Sequence, residues 1–188
     1  MGTTISGATG IDKVQDGTIV NADINSSAAI AGTKLVMPTG SVLQVVQGTY
    51  ATEASFNNTN FDTDSGLTAS ITPSSSSNKV LVSVTAAGCG KREGGNTSAY
   101  SAYRVAKVVG GSTSEVCIAS PQQGYTGLSS SASFGVVSAN YLDSPSTTSS
   151  IEYKLLYRTG GSGTGKFLAE DESGNQPTAT ILLMEIAG

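Results

Sequence analysis

The sequence predicts an all-β protein: an antiparallel β-sandwich or jelly-roll head carried on a short N-terminal stalk. Three observations lead there. From Ser41 onward, short apolar runs recur with the two-residue period of strands, separated by Gly, Ser, Asn and Pro loops. No stretch keeps a convincing helical period. Ahead of these runs, Ile19, Ile24, Ile30 and Leu35 stand five, six and five positions apart among Asn, Asp, Ser, Ala and Gly, a spacing that fits neither a helix nor a strand.

That spacing organises the N-terminal part. One chain gains almost nothing from isolated apolar residues so placed, whereas three parallel chains can each turn them toward a common axis and leave the polar residues in water. Residues 17–38 therefore read as a trimeric stalk with Ile19, Ile24, Ile30 and Leu35 on its axis. The competing reading is a polar segment that buries nothing. Asp16-Gly17-Thr18 and Ala31-Gly32-Thr33 look like two turns of one unit, each placing a Gly before the next apolar residue. Residues 1–16, with Ile5, Ile11 and Val14 among Gly and Thr, read as an anchor that folds against a partner.

Met37-Pro38-Thr39-Gly40 punctuates the chain where the pattern changes, so residues 39–188 form the head. Ser41 to Tyr50 begins the strands. Leu67, Ala69 and Ile71 alternate up to Pro73, and Ser74 to Asn78 is a polar loop. Lys79 to Ala87 places Val80, Val82 and Val84 on one face and Leu81, Ser83 and Thr85 on the other. Ala99 to Val109 and the shorter Glu115 to Ala119 are expected as neighbours joined by a Gly110-Gly111 turn. Ser133 to Leu142 follows. Ile151 to Arg158 turns Ile151, Tyr153, Leu155 and Tyr157 inward against Glu152, Lys154 and Arg158, with Leu156 breaking the polar face. The last run, Thr178 to Ala187, is apolar on both faces, which predicts a central strand or one lying in a subunit interface.

Composition narrows the function. The 188 residues, 38% hydrophobic, suffice for one core plus an appendage. No apolar run approaches the ~20 residues that span a bilayer, and no charged segment followed by an apolar one opens the chain. Neither membrane insertion nor a signal peptide is expected, and the match of Gly2 and Ser6 to a myristoylation pattern stands alone. A net charge of −4 with ten Lys and Arg argues against a nucleic-acid partner. With no His, the usual base of Ser and Cys hydrolases and the commonest metal ligand are missing, so an enzyme is not expected. Cys89 and Cys117 lie in different elements; a disulfide is open, with reduced, buried thiols favoured.

At this point DGTIVNADINSSAAIAGTKL at 16–35, FDTDSGLTASITPSSSSNKVLVSV at 61–84 and the ending ILLMEIAG resemble bacteriophage fibre or virion spike proteins, especially those of marine and cyanobacterial phages. The resemblance covers the stalk and about half of the head. It implies a homotrimer on the virion surface, assembled in the host cytoplasm, attached to other virion proteins through its N-terminus and showing its head to a host surface glycan or protein. Trimeric heads of the tumour necrosis factor-like jelly-roll type are similar in strand count. The expected function is a non-catalytic structural protein for host attachment. Its rivals are a capsid head decoration or cement fibre, and a polysaccharide-degrading spike enzyme.

Several local motifs bear on that function. Gly160 to Lys166 has the glycine and lysine spacing of a phosphate-binding loop, but Phe167 stands where Ser or Thr should reach the metal ion. A hairpin tip is expected there. Asn60, Asp62 and Asp64 resemble the start of a calcium loop, against Asx-turn chemistry as the plainer reading. Glu170, Asp171 and Glu172 read as a solvated loop. No metal or cofactor is expected. Tyr100, Tyr103, Tyr125 and Tyr141 are candidates for stacking on sugars, and the loop Ser120 to Gly127, with Gln122, Gln123 and Tyr125, is the expected receptor-facing segment.

Overall fold

A computed structural model describes residues 35–91, 99–128, 132–161 and 163–188. The expected anchor and the stalk residues Ile19, Ile24 and Ile30 lie outside the described residues. Contacts divide the chain between Val36 and Met37, and the unit from Met37 to Gly188 holds all the strands described below.

The strands are β1 (Val42–Tyr50), β2 (Ala54–Phe56), β3 (Thr63–Ile71), β4 (Lys79–Lys91), β5 (Tyr100–Val109), β6 (Ser112–Gln123), β7 (Ser133–Asp143), β8 (Ile151–Gly160), β9 (Gly165–Phe167) and β10 (Ala179–Ile186). All pairings are antiparallel. One sheet runs β1-β10-β4-β7, with the short β9 and β2 continuing beside the far end of β4; the other runs β3-β8-β5-β6. Among the eight long strands, the first pairs with the last (β1 with β10), the second with the seventh (β3 with β8), the third with the sixth (β4 with β7) and the fourth with the fifth (β5 with β6). The chain is thus one long hairpin rolled into two sheets, which is the jelly-roll order.

The closing turn of that hairpin is Gly110-Gly111, with φ of +56° and +83°. Two successive positive φ values give the turn whose twist matches that of the flanking strands.

Alternation decides the core. Val80, Val82 and Val84 of β4, Ile181 and Leu183 of β10, Leu67, Ala69 and Ile71 of β3, and Ile151, Tyr153 and Leu155 of β8 are all buried between the sheets. Each large aliphatic among them contributes about 1.5–3 kcal/mol by leaving water. Tyr50, Phe56, Tyr103, Tyr157 and Phe167 form an aromatic cluster, in which Phe56 stacks on Tyr157 at 3.9 Å and meets Tyr103 edge-on at 6.2 Å.

The expected central position of the last run is what the structure has: β10 lies between β1 and β4. Leu156, which interrupts the polar face of β8, is buried in a hollow lined by Phe61 and Arg104. The guanidiniums of Arg104 and Arg158 lie over the Phe61 ring, 4.8 and 5.0 Å from its centroid.

Two expectations need correcting. β6 runs from Ser112 to Gln123 and not only from Glu115 to Ala119. It is an edge strand, so its outer residues need not be apolar, and Pro121 falls where the register with β5 shifts between Ser120 and Gln123. The Gly160–Lys166 run is not a hairpin tip either, because β8 and β9 belong to different sheets. Its glycines carry the chain from one layer to the other.

Candidate functional site

The expected receptor-facing segment is split by the fold. Gln122 and Gln123 are the last residues of β6. Gln123 is tied down: its Oε1 accepts from Ser120 Oγ at 3.3 Å and its carbonyl from Ser101 Oγ at 3.3 Å. Gln122 is exposed. Tyr125 lies beyond the strand with 53% of its surface exposed.

What presents Tyr125 is a buried lysine at the end of β4. Lys91 is 1% exposed, and its Nζ donates to Thr126 Oγ1 at 2.7 Å and to the Leu128 carbonyl at 2.5 Å. The turn enters through Gly124, whose φ is +76°; a Cβ there would meet Lys91 N at 2.5 Å and the Ser133 carbonyl at 2.6 Å. The loop after β6 is therefore pinned from below by one ammonium and one close backbone approach. The sequence points to Tyr125 but gives no local sign of Lys91, whose partners lie 35 and 37 residues away.

Among the four tyrosines singled out, Tyr103 is in the core, its Oη donating to the Lys166 carbonyl. Tyr100 is half-buried, with Arg158 5.9 Å from its centroid. Tyr125 and Tyr141 stay exposed.

Lys166, the lysine of the glycine-rich run, sits in the short strand β9, where it pairs with Ser55 of β2 and Gly90 of β4. Its side chain is buried and bridged to Glu53. Glu53 also accepts the backbone N–H of Glu170 at 3.0 Å through its second oxygen. A lysine committed to a carboxylate and a backbone committed to a ladder do not cradle a phosphate. Glu53, Lys166, Glu170, Glu172, Ala132 and Phe134 contribute to the lining of a groove of about 620 Å³. Within that groove Glu53 is paired with Lys166. Sequence reading missed this pair because 113 residues separate its members.

Asp64 and Asp171 each hold a turn. Asp64 Oδ1 accepts the Gly66 N–H at 2.9 Å and its Oδ2 lies 3.2 Å from Lys154 Nζ. Asp171 accepts the N–H groups of Ser173 and Asn175, both at 2.8 Å, and the Asn175 amide at 2.8 Å. Those bonds, the Asn175 side chain first, hold its carboxyl below the ordinary range. Both are Asx-type turns. Among the described residues no three Asp, Glu or Cys side chains are grouped to hold a metal ion.

Leu35 is the one stalk-axis residue among those described, and 51% of its surface is exposed. The outer face of the β1-β10-β4-β7 sheet also carries exposed apolar side chains, including Val42, Val45 and Leu142.

No family model matches this chain. No curated protein is significantly similar to it either. The functional reading therefore rests on the fold and on the surfaces described above.

Proposed function

We propose that this protein is a non-catalytic, homotrimeric phage virion fibre or spike, held to the particle by its N-terminal part and displaying the jelly-roll head for attachment to the host surface. The observation that carries the reading is the two-sided character of β10. Ile181 and Leu183 fill the core, while Leu182, Met184 and Ile186 on the opposite face are only half-buried although the strand is central. A sheet that remains apolar on its outer side favours a head that associates with further copies. The spacing of Ile19, Ile24, Ile30 and Leu35 ahead of it asks for the same partner. Attachment is assigned to the pinned loop that presents Tyr125, since a rigid exposed aromatic loses little entropy on meeting a sugar ring or a protein surface.

The test is the absolute mass of the full chain in solution by light scattering. Three times the 18.9 kDa chain mass is the expected result, and in purified virions the chain is expected in multiples of three per attachment point. A monomer at micromolar concentration would overturn the trimeric reading.

A further inference from the structure

The register of the β1-β10-β4-β7 sheet sorts its outer face into rows, because residues directly opposite each other in antiparallel strands point to the same side. One row is Val45, Met184, Leu81 and Leu142, apolar from one edge of the sheet to the other. Beside it stand Val42 and Ile186, with Lys79 completing that row. On the other side come Gln47, Leu182, Ser83 and Asn140, then Thr49, Thr180, Thr85 and Ser138. Within about four residues along the strands, roughly 13 Å at the usual rise, the face passes from wholly apolar to wholly hydroxylic. Val42, Val45 and Leu142 are 49%, 56% and 47% exposed. Scattered apolar residues on a surface are ordinary; a contiguous row crossing four strands is not.

We propose that this apolar end of the sheet is the surface on which a second copy of the chain seats, the Thr-rich end remaining in solvent. The inference rests on the trimeric reading and gives it a specific contact. Two features select a second copy over other occupants. Lys79 is the one charged side chain in the two apolar rows, so nothing there selects a charged partner, and a face of Val, Leu, Ile and Met matches the apolar character of homo-oligomer interfaces. The apolar end is also where the chain enters the head: 34 residues precede the described part, Leu35 belongs to the stalk spacing, and seven residues later Val42 opens β1 in the row beside that of Val45.

The experiment uses the full chain with Leu142→Cys and, separately, Ser138→Cys. Both positions are on the outer side of β7, one in the apolar row and one in the Thr row. Alkylation rates are read peptide by peptide by mass spectrometry, so that Cys89 and Cys117 are counted apart, and are normalised to the urea-unfolded chain. Light scattering is run on the same samples. A trimer in which Leu142→Cys reacts at least tenfold more slowly than Ser138→Cys supports the proposal. A trimer in which both react alike overturns it and leaves the trimeric reading standing. A monomer with equal rates removes both. A monomer in which Leu142→Cys is still protected means that residues ahead of Leu35 cover the face, which also overturns a second copy as the occupant. Val45→Cys, on the opposite edge strand, repeats the measurement should a thiol at 142 disturb assembly; it must give the same contrast.

Discussion

Tyr153 of β8 donates its hydroxyl to Asp143 of β7 at 2.7 Å, joining the two sheets through a buried hydrogen bond. Lys107 of β5 closes the same site, its Nζ 2.7 and 2.9 Å from the two carboxylate oxygens. Asp143 is the shared acceptor for both Tyr153 and Lys107. Asp143→Ala should therefore cost about 3–5 kcal/mol, the range for leaving a buried charge unpaired, whereas Tyr153→Phe should cost about 1 kcal/mol. Urea midpoints measure both. A loss for Asp143→Ala no larger than that for Glu115→Ala, which breaks a more exposed pair with Arg104, would show that the site does not staple the sheets.

The alkaline limb of stability follows from the same residue. Burial, reinforced by the hydrogen bond to Asp143 and its charge, raises the Tyr153 pKa far above its ordinary value of 10.0. A raised folded-state value means a contribution that is complete below pH 10 and lost as pH rises above it. Tyr103 and Cys89, both raised by burial, act in the same direction. Melting temperatures between pH 8 and 11 should fall, and the slope should be shallower in Tyr153→Phe.

The acid limb is assigned to Glu185. Its side chain, 1% exposed, accepts from Asn78 Nδ2 at 2.6 Å, Gln44 Nε2 at 2.6 Å, and Ser74 N and Oγ at 2.6 and 2.8 Å. Burial alone would raise its pKa; the four donors outweigh it and hold the carboxyl below the ordinary 4.5. A depressed folded-state value means that the contribution is present above 4.5 and lost as pH falls through the folded value. Glu185→Gln should be less stable than the wild type at pH 7 and should lose less on going from pH 6 to pH 3, read by thermal unfolding. Parallel curves for the two proteins would rule out this assignment.

Both cysteines are free thiols, and they should differ sharply in reactivity. Burial pushes Cys89 up to about 11, while half-buried Cys117 is raised by burial and by the nearby Glu115 charge. At pH 7.5 a maleimide should add once, slowly, to the folded chain and twice after unfolding without reductant. Fewer than two adducts on the unfolded chain would reveal a disulfide.

Lys91 and Gly124 control the loop that presents Tyr125. Gly124→Ala forces a Cβ into the Lys91 and Ser133 backbone at a positive φ, which should cost at least about 1–2 kcal/mol. Lys91→Met keeps the stem but removes both hydrogen bonds to the loop. Amide exchange at 125–128 should rise in Lys91→Met while the core strands keep their protection. Unchanged exchange there would mean that the ammonium does not order the loop.

Most of the strands were legible because the core lies between two sheets, so each strand must alternate. Ile151-Tyr153-Leu155-Tyr157 and Val80-Val82-Val84 declare their inner faces without reference to any other residue. β10 could be read as central because it is apolar on both sides. The ends of the edge strand β6 are not legible, since Thr113, Ser114 and Gln122 are exposed and carry no apolar alternation. β9 is not legible because three residues carry no period, and its Gly165 and Lys166 complete the spacing of another motif.

The class of fold, the turn at Gly110-Gly111 and the apolar excess of the last strand are written in local sequence, because each depends on neighbours within a few residues. That Lys166 answers Glu53, that Lys91 holds the Tyr125 loop, that Asp143, Tyr153 and Lys107 share one site, and that Val45, Met184, Leu81 and Leu142 form one row emerges only on folding. These contacts depend on how the long hairpin rolls and in what register its strands meet. Register is a property of pairs of strands distant in the chain, and no local pattern encodes it.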